Sequence, residues 1–114
     1  MPYRDRARVE GWVNEYNATH DVEALRVGVL DKNFESGPNS AIVIVTLRSA
    51  STITFLHPAI RKGAPVWMVT FEERNEPVDL DDAGLRLLAE DMCAVAELRS
   101  YLQEKTDALL VQAH

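Results

Sequence analysis

The chain has 114 residues, of which 46% are hydrophobic and 26% charged, and its net charge is −6. That length fits one domain spanning residues 1–114 with a core of its own, and the composition is that of a globular chain, not a disordered one. The acidic balance repels phosphate backbones and anionic lipid, so neither nucleic acid nor a membrane is an expected partner.

The single cysteine, Cys93, cannot form an internal disulfide. The opening residues MPYRDRARVE hold no apolar core of signal-peptide length. The longest apolar run, Ala41–Val45, is far too short to span a bilayer. A cytoplasmic location is the expectation.

Arg4–Asn17 reads as a helix. Val9, Trp12, Val13 and Tyr16 fall at helical spacing on one stripe, and Arg4, Asp5, Arg6, Arg8, Glu10, Asn14 and Glu15 form its wet face. Ala24–Leu30 follows as a strand, with Leu25, Val27 and Val29 alternating with Arg26 and Gly28. The segment Asp31–Ser40 contains Gly37-Pro38 and reads as a long loop that Phe34 pins down.

Three strands come next: Ala41–Arg48, Thr52–His57 and Val66–Glu73. Ser49–Ser51 is a short connection and implies antiparallel pairing. A three-residue loop places Val43, Val45 and Leu47 on one face with Ile53, Phe55 and His57. The opposite face then shows Ile42, Ile44, Thr46, Thr52, Thr54 and Leu56. Pro58 is expected to close its strand, leaving Ala59–Pro65 as a connection. In the last strand Trp67, Val69 and Phe71 oppose Val66, Met68 and Thr70.

The final element reads as a helix from about Asp82 to near Leu110, capped by Asp79 or Asp81. Leu85, Leu88, Met92, Val95, Leu98 or Arg99, Leu102 and Leu109 make its stripe. Such a helix is roughly 40 Å long, more than the diameter of a compact domain of this size, so it overhangs. The expected fold is α+β: a two-layer domain with a four-stranded antiparallel β meander, flanked by an N-terminal helix and a long C-terminal helix. This element order, with the acidic character, resembles small dimeric binding folds such as the secretion chaperones; no site residue follows from that resemblance.

No catalytic motif is present: G-x-S-x-G, G-x-G-x-x-G and the P-loop are all absent. The metal candidates are His20-Asp21 and the run Asp79–Asp82; the latter lacks the spacing of a calcium loop, and helix capping accounts for it. Neither a metal nor a cofactor is expected. Cys93 reads as a buried, inert thiol in mid-helix. His114 is terminal, and His20 precedes Asp21 in a turn. His57, followed by Arg61 and Lys62 and joined by Trp67, offers a corner for an anion with a proton donor at hand.

Two functions therefore stand side by side. One is a non-enzymatic protein-binding or assembly module acting as a homodimer, with Ile42, Ile44, Leu56 and Met68 on the outer sheet face and Leu98, Leu102 and Leu109 on the helix at its interface; Arg48 sits at the rim. Another protein is a second partner class. The alternative is an anion-binding protein or modest enzyme around His57, Arg61, Lys62 and Trp67.

Overall fold

A computed structural model describes residues 4–19, 26–31, 40–48, 53–72 and 77–112. His20, Asp21, Phe34, most of the 31–40 loop, the 49–51 connection and His114 lie outside the described residues. The order is α1 (Arg6–Thr19), β1 (Arg26–Asp31), β2 (Ala41–Thr46), β3 (Thr54–Arg61), β4 (Ala64–Phe71) and α2 (Asp82–Gln112). The strands form one antiparallel sheet in the order β1-β2-β3-β4, a meander. Both helices pack on the same face, so the architecture is α+β in two layers.

Each helix begins at an aspartate. The Asp5 carboxylate accepts the Arg8 amide at 3.0 Å, and Asp81 accepts that of Gly84 at 2.8 Å, each satisfying an amide of the first turn. Alternation along β2 buries Ala41, Val43 and Val45 under the helices, and helical spacing brings Val9, Val13 and Tyr16 of α1 and Val95, Leu98 and Leu102 of α2 down onto them.

The β2–β3 register differs by one residue from the expected one. Val43 pairs with Leu56, and Val45 with Thr54. A slip of one residue exchanges the two faces of a strand. Leu56 and Thr54 are therefore in the core, both fully buried, while Phe55 and His57 lie on the outer face.

Pro58 does not end β3. The strand continues to Arg61 and pairs with β4 through Arg61 and Ala64. Between them Lys62 and Gly63 have φ of 52° and 77°, so the expected connection is instead a two-residue hairpin turn of the primed kind. Pro58 fits because its pairing is with Trp67 on the β4 side, beyond the last β2–β3 pair at Val43 and Leu56. Its missing N–H then removes no ladder bond. Gly63→Ala is expected to cost about 1 kcal/mol, because a Cβ disfavours this φ; a fall in the thermal midpoint checks it, and an unchanged midpoint would show the turn to be of another type.

Two polar residues anchor the helices to the sheet from within. Arg4, expected in water, is fully buried; it donates to the Val66 carbonyl at 2.6 Å and the Ala59 carbonyl at 3.3 Å, with its guanidinium 5.9 Å from the Trp67 ring centre. Burial lowers its pKa, though arginine stays charged. Asp91 of α2, also fully buried, accepts both the backbone N–H and Nε of Arg48 at 2.8 Å. Arg48 is thus held to α2, with a second bond from its guanidinium to Glu90 at 3.1 Å, and does not rim the outer face.

The two sheet edges are treated differently. Along β4, the Gln103 side chain accepts the Trp67 N–H and donates to the Pro65 carbonyl, and Arg99 donates to the Trp67 carbonyl. Proline at position 65 has no N–H to offer. Side chains of α2 thus cap this edge at Pro65 and Trp67, one of the ways proteins prevent strand addition. No described residue does the same for β1.

Helix α2 has 31 residues, about 47 Å at 1.5 Å per residue, close to the longest molecular dimension of 50 Å. Its fully covered positions run only from Asp91 to Thr106, and Leu85 and Val111 are exposed. Both ends project past the sheet. Cys93, expected to be buried, is exposed, because the covered stripe follows Asp91, Val95, Leu98, Leu102 and Thr106.

Candidate functional site

The outer face of the sheet is left uncovered by both helices. β2 places Ile42 and Ile44 there, β3 Phe55 and His57, β4 Val66, Met68 and Thr70, and β1 Gly28 and Leu30. These side chains are half-buried against one another, apart from Leu30 at 39% exposure and the exposed Gly28. None of them is a carboxylate, in a chain of net charge −6. With strands about 4.8 Å apart and 3.3 Å per residue, the face projects roughly 19 by 23 Å, near 440 Å². That is within the range of the largest apolar patch on an ordinary monomer, a patch that is often functional.

Polar groups on this face satisfy one another. His57 Nε2 lies 2.9 Å from Thr70 Oγ1, and the rings of Phe55 and His57 are 5.5 Å apart and tilted by 50°. The imidazole is thus turned to a neighbouring hydroxyl.

The proposed anion corner is not assembled. Arg61 and Lys62 are at the exposed hairpin tip, and Arg61 is four residues beyond His57 on a straight strand, roughly 13 Å away. Trp67 is on the opposite face, fully buried, with its Nε1–H donated to Thr106 at 2.9 Å.

The seven residues expected at an interface divide. Ile42, Ile44 and Met68 are on the outer face and Leu109 is half-buried near the end of α2. Leu56, Leu98 and Leu102 are in the protomer's own core, exposed by 0%, 1% and 0%. Phe55 belongs to the surface in place of Leu56; only the strand register could have revealed it.

A second depression lies between the helices. It is open, of about 460 Å³, and lined by Tyr16, Ala96, Glu97, Ser100, Tyr101 and Glu104. Burial, and then the charge of Glu97, raise the Tyr16 pKa, so its hydroxyl is held protonated. Tyr101 is raised mainly by burial and then by its bond to Glu15 at 3.0 Å. The Glu15 carboxyl is lowered by its hydrogen bonds with Lys105 and Tyr101. These shifts keep both tyrosine hydroxyls protonated and Glu15 charged.

Among the described residues no group of three or more His, Cys, Asp or Glu could hold a metal ion, and no helix is long and apolar enough to cross a membrane. No family model, curated protein or solved structure matches the chain.

Proposed function

We propose that the chain is a non-enzymatic protein-binding or assembly module that acts as a homodimer, each copy presenting its outer sheet face to a partner protein. The observation that carries the reading is that face: apolar, without a carboxylate, and opposite both helices. A partner covering it would desolvate Ile42, Ile44, Phe55, Val66 and Met68 without burying a carboxylate, and such an apolar patch is the arrangement found at the centre of protein interfaces. His57 Nε2 and Thr70 Oγ1, already bonded to each other, meet part of their hydrogen-bonding need inside such a contact.

The patch is about half the roughly 800 Å² per partner of a standard interface, so one copy alone offers a modest platform. Two copies with their faces side by side would offer a full one.

Light scattering at micromolar concentration tests the dimer: a mass near twice 12.8 kDa is expected, and 12.8 kDa throughout would overturn it. The face is tested by Ile44→Asp. The wild type is expected to be retained on a phenyl matrix at high salt and the variant to elute markedly earlier, with a stability loss of only about 1 kcal/mol from the poorer strand former. Equal retention would mean that the face is not accessible.

A further inference from the structure

We infer that two copies of this chain join through the edge of β1, antiparallel, to make one continuous eight-stranded sheet; this rests on the homodimer reading above and specifies how the dimer forms.

The inference starts at the shut edge. Trp67 turns its N–H and C=O outward to α2, so in β4 the odd-numbered residues point away from β3. The registers carry this alternation across the sheet without a break: Met68 bonds toward His57, Leu56 toward Val43, and Ile44 toward Gly28. In β1, then, Gly28 and Leu30 spend their backbone groups on β2, while Val27 and Val29 direct theirs outward. Among the described residues nothing meets those groups. An unmanaged edge of this kind is a template for another strand.

The sequence of β1 favours its own copy as that strand. Setting Val29 opposite Val29 of the second copy, about a two-fold axis normal to the sheet, places Leu30 of each copy beside Gly28 of the other. Leu30 is 39% exposed, and a Cβ built on Gly28 would meet no atom within 4 Å, so the one fills the space the other leaves open. The register also pairs Val27 with Asp31, and the outward groups then make about six backbone hydrogen bonds. β1 contains one arginine and one aspartate, so its pairing brings no net charge together in a chain of −6. Because the axis is normal to the sheet, both outer faces end on the same side. The combined face projects roughly 38 by 23 Å, near 880 Å², the size one partner gives to a standard interface.

The test is sedimentation with a reductant present, so that the exposed Cys93 cannot cross-link. Val29→Pro removes an outward N–H that the protomer itself does not use, a substitution edge strands tolerate. The wild type is expected to sediment as a dimer and the folded variant as a monomer of 12.8 kDa. A dimeric variant overturns edge pairing and leaves the homodimer standing; a monomeric wild type overturns both. Should the variant not fold, amide exchange of the wild type decides. The Val27 and Val29 amides are expected to be protected at high concentration and to exchange at least tenfold faster on dilution, whereas equal rates overturn the proposal.

Discussion

Leu56→Asp is expected to leave the chain unfolded at room temperature, while Phe55→Asp, one residue earlier, is expected to fold. Leu56 is fully buried, opposite Val43 and Val69 and beneath the helices. A carboxylate there has no partner, and it must either remain charged in the core or be protonated at a cost. Together with the lost Leu side chain this removes about 5 kcal/mol or more, a large share of the stability of a domain this small. Phe55 is half-buried on the face that no helix covers. Aspartate at that position stays hydrated and costs about 1 kcal/mol through strand propensity and the lost contact with His57. Circular dichroism with thermal unfolding distinguishes the pair. The reverse outcome, with Phe55→Asp unfolded and Leu56→Asp folded, would restore the register in which Phe55 faces the helices.

Trp67→Ala is expected to lower the unfolding free energy by about 4 kcal/mol, read from the urea midpoint. The indole is the largest fully buried side chain. Its removal opens a cavity between β4 and α2 and leaves the Thr106 hydroxyl, itself fully buried, without its donor. Trp67→Phe retains most of the volume and should cost about 2 kcal/mol, with the loss shrinking when Thr106→Val is added, because the stranded hydroxyl is then gone. A loss below about 1 kcal/mol for Trp67→Ala would contradict a core position and return Trp67 to consideration as a ligand platform.

The order and kind of every element were legible in the sequence, because each is marked by periodicity or capping that survives tertiary contact. Asp81, the stripe of Val9, Val13 and Tyr16, and the division of β4 between Trp67 and Met68 are cases in point. The β2–β3 register was not legible. Both candidate sets on β3, Phe55 with Ile53 and Leu56 with Thr54, contain one bulky apolar residue and one β-branched residue, so hydrophobicity alone does not separate them. Pro58 misled because the rule that proline ends a strand depends on whether a neighbour needs its N–H, which topology decides. Arg4 and Asp91 look like solvent-facing charges in a one-dimensional pattern. Their burial depends on backbone groups supplied by Val66, Ala59 and Arg48, far away in sequence. The candidate surface was half legible: Ile42, Ile44 and Met68 were placed on it from alternation, and Phe55 joined it only through pairing.

Arg99, Gln103 and Pro65 act together at the margin of β4. A strand margin that accepts another chain on both sides of a sheet permits head-to-tail growth without end, since each addition presents a fresh margin for the next. Here α2 stoppers one of the two. With that margin occupied at Pro65 and Trp67, strand addition at the other margin is expected to end after a single event and to give a closed particle, not a fibre. Loosening the stopper, for example with Arg99 and Gln103 both truncated, would turn a finite oligomer into a polymerising one.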